Sequence, residues 1–226
     1  VAIEQTEEAF DSILSSTVNI LEVVRDFDHE CPVVYTSSSM VYGDFQTPIV
    51  TEEAPKNPKD IYGSIKLAGE IISNGYQKRY GIDVRTVRPT AVYGPYDANQ
   101  RVLYKFITQA LQGRPLKVDG DGSMALDFTY VKDTANGIYR VATNNAAKAE
   151  TFNIARGQAE TLATAVSIIS EIISDVTVEY GDIPAHIPNR GTLDVTKAKS
   201  LIGFNPQHGL EEALPIYIEH LRHNPI

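Results

Sequence analysis

Tyr62 and Lys66 lie four residues apart, and none of the other eleven tyrosines has a lysine at that distance on its carboxyl side. On a helix this spacing places both side chains on one face, one turn apart. An ammonium group beside a phenol favours the phenolate, so the pair predicts a pKa for Tyr62 below the usual value of about 10. A tyrosine tuned in this way can act as a general acid or base. The alternative is an ordinary solvated helix face.

A second group of chemical interest is the hydroxyl-rich segment Thr36-Ser37-Ser38-Ser39. It follows Pro32-Val33-Val34-Tyr35, a β-branched and aromatic run without polar alternation, which predicts a parallel strand covered on both faces. Open α/β sheets bind ligands at the carboxyl ends of their strands. A hydroxyl at this strand end can therefore face the Tyr62 phenol across a substrate oxygen. The alternative is that these serines only cap a helix or form a turn.

The elements around both groups alternate between helix and strand. Apolar residues recur at three- and four-residue spacings over 7–27 and 62–79, which predicts two amphipathic helices. Apolar runs predict strands at 32–36 and 82–89. The order helix, strand, helix, strand favours a parallel sheet with right-handed crossovers, and so an α/β protein.

Beyond Pro89 the predicted elements become shorter, which suggests a domain change close to Tyr93. Helices are predicted at 102–112, from near Lys132, and at 162–174, 195–202 and 210–222, and short strands at 116–118, 128–131 and 152–155.

Composition excludes several classes of protein. The chain has 226 residues, 42% of them hydrophobic, which is enough for one full core or two modest ones. Twenty Lys and Arg against 29 Asp and Glu give a net charge of −9, which argues against a nucleic-acid partner. No apolar stretch is long enough to cross a bilayer, and the five histidines show no ligand spacing, so neither a membrane span nor a metal is expected. The single cysteine, Cys31, favours a cytoplasmic location.

A set of short motifs resembles the extended short-chain dehydrogenase/reductase family, the NAD-dependent epimerases and dehydratases that include UDP-glucose 4-epimerase. The motifs are the serine segment ending in Val41-Tyr42-Gly43, Tyr62-Gly63-Ser64-Ile65-Lys66, Val92-Tyr93-Gly94-Pro95, Gly120-Asp121-Gly122 with Asp127-Phe128-Thr129-Tyr130-Val131, Phe152-Asn153-Ile154, and Leu193-Asp194-Val195-Thr196-Lys197-Ala198.

The resemblance implies a Rossmann-type doubly wound parallel sheet with a smaller α+β C-terminal lobe that closes over the substrate. Residues 1–92 are then the C-terminal half of the NAD(P)-binding domain. Residues 93–226 are mainly the substrate-binding lobe, with part of 127–156 returning to the Rossmann domain.

The resemblance also implies roles for individual residues. Tyr62 is the catalytic base, Lys66 binds the nicotinamide ribose and tunes Tyr62, and Ser38 orients the substrate oxygen. The implied cofactor-binding residues are Thr36, Ser37, Tyr62, Lys66, Pro89 and Val92. The implied substrate-binding residues are Ser38, Ser39, Met40, Thr90, Ala91 and Arg190.

One feature of the family pattern is not found in this sequence. A Rossmann domain opens with a strand and a glycine-rich turn that holds the pyrophosphate, and an acidic or basic residue further on selects NAD or NADP. None of the 15 glycines forms that motif, so we expect it in a segment preceding Val1. NAD is the expected cofactor, with NADP not excluded.

Two positions bear on the substrate. Nucleotide-sugar enzymes of the family usually have an Asn and an Arg, both contacting the diphosphate, where this chain has Ala91 and Leu126. A buried diphosphate needs cationic or hydrogen-bonding partners. Either other cations replace them or the substrate has no diphosphate. The candidate cations are Arg190, Arg101, Lys105 and Lys117.

The expected function is an NAD(P)-dependent epimerase-type reaction on a sugar through a keto intermediate, with a nucleotide-linked sugar as the expected substrate. 4,6-Dehydration is not expected, because Ser39-Met40 stand where such dehydratases carry Asp-Glu. The alternatives are a dehydrogenase of a small sugar or sugar acid, and a non-catalytic nucleotide-binding or regulatory protein with the same fold. The resemblance also implies a homodimer formed through the helices at 7–27 and 62–79.

Overall fold

The structure is a computed structural model that describes residues 6–27, 30–184 and 187–224. Its helices are α1 (Thr6–Phe10), α2 (Ser16–Phe27), α3 (Ile61–Tyr80), α4 (Val102–Leu111), α5 (Val131–Thr143), α6 (Leu162–Ile172), α7 (Thr196–Ile202) and α8 (Leu210–His223). Its strands are β1 (Val33–Thr36), β2 (Ile49–Val50), β3 (Val84–Pro89), β4 (Val92–Tyr93), β5 (Leu116–Asp119), β6 (Ala125–Leu126), β7 (Thr129–Tyr130), β8 (Thr151–Ile154), β9 (Glu160–Thr161), β10 (Val178–Gly181) and β11 (Thr192–Leu193).

The main sheet has three parallel strands in the order β1-β3-β8. Its two faces are covered by different helices. Arg85 of β3 donates to the carbonyl oxygens of Val141 and Ala142 in α5, whereas Arg88 of the same strand pairs with Glu70 of α3. Side chains an odd number of residues apart point to opposite faces of a strand, so α5 and α3 lie on opposite faces. The predicted α/β fold with a Rossmann-type parallel sheet is confirmed.

A second group of elements encloses its own core. Strand β5 pairs in parallel with β10, and α4, α6 and α8 contribute buried side chains that pack together. The largest fully buried side chains in this core are Phe106 of α4, Tyr217 of α8 and Tyr130 of β7. The residues buried around the main sheet form two other clusters, which include Phe152 in one and Tyr35 in the other.

The structure departs from the predicted elements in three places. The helix predicted over 7–27 contains a π-helical turn at Asp11–Ser15, where Ser16 and Thr17 donate their hydroxyls to the carbonyl oxygens of Ser12 and Ile13. The strand predicted at 128–131 is only β7, and it pairs with β4 outside the main sheet. Strand β10 was not predicted, although Val176, Val178 and Tyr180 alternate with polar residues. The pattern is short, and the side chains of the strand are largely exposed.

Within the described residues no helix combines the length and the apolarity needed to cross a membrane.

Candidate active site

The start of α3 places Tyr62 beside the end of β1. Asp60 caps the helix, its carboxylate accepting the Gly63 amide at 2.7 Å, so that Tyr62 lies in the first helical turn. A Cβ on Gly63 would come within 2.7 Å of the Met40 carbonyl oxygen. Glycine therefore lets the first turn of α3 approach the serine segment closely.

The serine segment continues β1 into a 3-10 turn at Ser39–Tyr42. Ser38 caps this turn by accepting the Met40 amide at 3.2 Å, and Ser37, Ser38 and Ser39 are all buried. The Ser38 hydroxyl also lies near enough to the Tyr62 phenol to lower the pKa of Tyr62. The structure thus brings together two of the three residues predicted to be catalytic.

Lys66, the third of these residues, reaches the end of the same strand. Its Nζ donates to the Thr36 carbonyl oxygen at 2.8 Å and lies 5.8 Å from the centre of the Tyr62 ring. Burial lowers the pKa of Lys66. An ammonium group has three donors, so the bond to Thr36 leaves two for other partners.

The predicted effect of Lys66 on Tyr62 is wrong for this structure. The pKa of Tyr62 is raised, mainly because burial penalises the phenolate, and Asp60 adds to the increase. The opposing influences are the Ser38 hydroxyl and the charge of Arg101. Spacing alone gave the wrong sign because it carries no information about burial.

The residues that follow β3 lie at the same edge of the sheet. Thr36 pairs with Val87, so the carboxyl ends of β1 and β3 are adjacent, and the chain continues from β3 through Thr90 and Ala91 into β4. Thr90 is buried and Ala91 is partly buried. Ala91 has a φ of 38°, in the left-handed region that Asn tolerates better than Ala. Pro89 and Val92 flank these two residues in β3 and β4.

Two arginines act on this region electrostatically. Burial lowers the pKa of Arg190, the neighbouring Arg101 lowers it further, and Asp60 raises it. The Nε of Arg190 is buried and has no hydrogen-bond partner among residues 6–27, 30–184 and 187–224. A buried donor without a partner is costly, so a ligand acceptor would stabilise it. The other candidate cations, Lys105 and Lys117, are exposed.

Sequence reasoning missed the capping role of Asp60 and the influence of Arg101 on Tyr62. The capping signal was present, since an Asp directly before a helical pattern predicts an N-cap. The influence of Arg101 depends on tertiary structure and has no local signal. Within the described residues no group of three or more His, Cys, Asp or Glu side chains could hold a metal ion, and His29 and His186 lie outside those residues.

A two-faced parallel sheet with hydroxyls, a tyrosine and a lysine at its carboxyl edge defines the class of Rossmann-type proteins. The model of the NAD dependent epimerase/dehydratase family matches residues 1–155, and the chain belongs to this family. The resemblance drawn from the motifs is confirmed.

Two relatives illustrate the similarity. The chain is 32% identical over 203 residues to an uncharacterized UDP-glucose epimerase of Bacillus subtilis, a match that covers 89% of this chain and 64% of the relative. It is 29% identical over 206 residues to a UDP-glucuronate 4-epimerase of Thermodesulfobacterium geofontis, covering 90% of this chain and 63% of the relative. The chain thus spans less than two thirds of the length of either relative.

A solved structure is similar over most of the chain. The UDP-glucuronic acid 4-epimerase of Bacillus cereus, in complex with UDP-glucuronic acid and NAD, superimposes with a TM-score of 0.85 at 26% identity. The match covers 92% of this chain and 66% of that structure.

Proposed function

We propose that the protein is an NAD-dependent epimerase-type oxidoreductase that acts on a nucleotide-linked sugar. The observation that carries the proposal is the placement of Tyr62 and Lys66 at the carboxyl edge of the sheet, where the Lys66 Nζ donates to the Thr36 carbonyl oxygen at 2.8 Å and lies 5.8 Å from the centre of the Tyr62 ring. The names of the relatives support it, since they are UDP-sugar epimerases. The bound UDP-glucuronic acid and NAD of the Bacillus cereus enzyme support it as well.

The residues at the sheet edge fit the nicotinamide end of NAD. Lys66 has two N–H donors left for ribose hydroxyls, and Thr36, Ser37, Pro89 and Val92 border the same edge. When bound, NAD supplies the acceptor and donor of a hydride. The neighbour crystallised with NAD favours NAD over NADP.

Tyr62 and Ser38 then handle the proton of the substrate hydroxyl. When the carbon–hydrogen bond of a secondary alcohol breaks, the hydroxyl proton has to leave, and the Tyr62 Oη is the base that takes it. Ser38 donates a hydrogen bond to the same oxygen as it becomes a carbonyl. Return of the proton from Tyr62, with re-reduction of the carbonyl on its other face, would complete an epimerisation.

The substrate-binding residues in this proposal are Ser38, Ser39, Met40, Thr90, Ala91 and Arg190. We assign the anionic part of the substrate to Arg190, assisted by Arg101, because the buried Nε of Arg190 has no acceptor in the part of the chain that the structure describes. These two cations compensate for Ala91 and Leu126, which have no polar side-chain atoms. If they do not, a dehydrogenase of a small sugar or sugar acid is the second candidate function, and the same two apolar residues favour it.

The proposal includes two domains and a homodimer. The separate core of the α4, α6 and α8 group supports a substrate-binding lobe within 93–226. The core around the main sheet also includes buried residues from 141–155, which supports the return of part of 127–156 to the Rossmann domain, and from 193–204. Exposed apolar side chains on α2 and α3, namely Ile20, Val23, Phe27 and Ile71, support pairing through these helices. A single and exposed Cys31 is compatible with the proposed cytoplasmic location. Light scattering at micromolar concentration tests the dimer, and a monomer would contradict it.

The test of the reaction is an assay of the complete gene product with UDP-sugars and NAD. Chromatography of the products should reveal the C4 epimer, with no net change in NADH absorbance. Net NADH formation from a free sugar or sugar acid would support the second candidate. No conversion of either substrate class would contradict both.

A further inference from the structure

Helix α3 presents three side chains to the end of β1, at intervals of four residues. Lys66 donates to the Thr36 carbonyl oxygen, Glu70 accepts the Ser37 hydroxyl at 2.5 Å, and Tyr62 lies near enough to Ser38 for that hydroxyl to lower the pKa of Tyr62. Three successive turns of the helix thus face the segment Thr36-Ser37-Ser38. The contact of Glu70 is with the residue directly before Ser38.

Glu70 is itself held in place. Arg88 of β3 forms a bidentate ion pair with it, at 2.9 Å from Nε to Oε1 and 2.7 Å from Nη2 to Oε2. The two side chains are only 5% and 11% exposed. A bidentate pair of this kind fixes orientation as well as distance.

Arg88 also contacts the turn that follows Ser38. Its Nη1 donates to the Tyr42 hydroxyl at 2.9 Å and to the Glu52 carbonyl oxygen at 2.9 Å. Tyr42 is the last residue of the 3-10 turn that Ser38 caps. The Glu70–Arg88 pair therefore holds the residue before Ser38 and the end of the turn after it.

Close packing keeps α3 near enough for these contacts. A Cβ on Gly69 would lie 2.0 Å from the Tyr35 hydroxyl, which donates to the Lys66 carbonyl oxygen at 3.1 Å. Glycine at this position lets the Tyr35 ring lie against the helix between Lys66 and Glu70. The distance from α3 to β1 is thus set by packing, and the orientation of the serine segment by Glu70.

We propose that Glu70 is a positioning residue for the reaction, which fixes the Ser38 hydroxyl opposite Tyr62 through Ser37 and Arg88. This inference rests on the proposed function. A buried ion pair contributes little net stability, because desolvation offsets the attraction between the charges. The Glu70–Arg88 pair instead fixes geometry, since displacement of a reacting group by about 1 Å can lower the rate roughly 100-fold.

The chain offers a matched control on the same strand. Asp83 and Arg85 form a second buried pair at 2.6 Å, with side chains 10% and 5% exposed, at the opposite end of β3. Arg85 donates to carbonyl oxygens at the end of α5 rather than to the serine segment. Removing this pair perturbs burial and charge to a similar degree without touching the strand end.

The experiment compares Glu70→Gln, Ser37→Ala, the double variant and Asp83→Asn in the complete gene product, using the epimerase assay. We expect Glu70→Gln to lower kcat by about 10-fold to 100-fold with KM changed by less than about threefold. Ser37→Ala should lower kcat less. The double variant should lose no more than Glu70→Gln alone, because both changes remove the same contact. Asp83→Asn should lose thermal stability comparably and keep kcat.

Three results would overturn the inference while leaving the proposed function intact. They are a Glu70→Gln kcat within about twofold of the unchanged protein, fully additive losses in the double variant, and an equal kcat loss in Asp83→Asn. If Glu70→Gln does not fold, Ser37→Ala decides, and an unchanged kcat in that variant contradicts the proposal. An unchanged protein without any epimerase activity would overturn the proposed function and this inference with it.

Discussion

The two sides of the candidate site differ in how closely their residues match the motifs of the family. On the sheet side, Ser38, Tyr62 and Lys66 occupy the motif positions, and Lys66 of α3 donates to the Thr36 carbonyl oxygen at the end of β1. On the substrate side, Ala91 and Leu126 stand where the family pattern implies Asn and Arg, and we propose that Arg101 and Arg190 supply the charge instead. Proton transfer requires one fixed geometry, whereas an anion can be bound by cations from different loops.

The largest effect should follow from breaking the sheet side. Tyr62→Phe removes the base, so turnover should fall by roughly 10²–10⁴-fold while NAD binding is retained. The measurements are the epimerase assay and calorimetric titration with NAD. Tyr76→Phe is the control, since Tyr76 lies on the same helix and donates to Glu22. Full turnover in Tyr62→Phe would contradict the role of Tyr62 as the base.

Substitution of a substrate-side cation should change KM rather than kcat. Arg190→Gln removes a charged donor to the substrate, which should raise KM for a UDP-sugar by roughly 10-fold to 100-fold. Initial rates over a range of substrate concentrations measure this, with the exposed Lys105→Gln as the control. An unchanged KM would mean that Arg190 does not hold the substrate anion.

On the same side of the site, a substitution at Ala91 should increase stability and UDP affinity. Its φ of 38° is unfavourable for Ala, so Ala91→Asn should raise the free energy of unfolding by about 1 kcal/mol. The new amide should also tighten UDP binding. Denaturant titration measures the first effect, and Ala91→Val should destabilise instead because branched side chains resist this conformation. Equal stability of the Asn and Val variants would contradict the account.

The smallest expected effect is that of Arg101, a residue of the substrate side, on the pKa of Tyr62. Arg101 lowers the pKa of Tyr62, and burial and Asp60 raise it. The reaction needs the phenolate, so kcat/KM should rise with pH through the Tyr62 pKa. Arg101→Gln removes the lowering charge and should move that rise to higher pH. Profiles of both proteins under identical salt test this, and a shift to lower pH would refute it.

The sequence predicted the parallel sheet and the long helix with Tyr62 and Lys66 because both have strong local patterns. The apolar run of β1, the face of α3 and the left-handed Gly81 that ends this helix are examples. The two-residue strands β6 and β9 were not predictable, because their pairing depends on distant residues. The sign of the Tyr62 pKa shift and the Glu70–Arg88 pair were missed for the same reason, since burial and tertiary contacts determine both.

The central claim is that one substrate contacts both sides of the site, with its sugar at Tyr62 and its diphosphate at Arg190. Calorimetric titration of the NAD-loaded complete gene product with UDP tests this claim most directly. We expect saturable UDP binding, which Arg190→Gln should weaken by at least about tenfold. NAD binding without any affinity for UDP would contradict it and support the dehydrogenase of a small sugar.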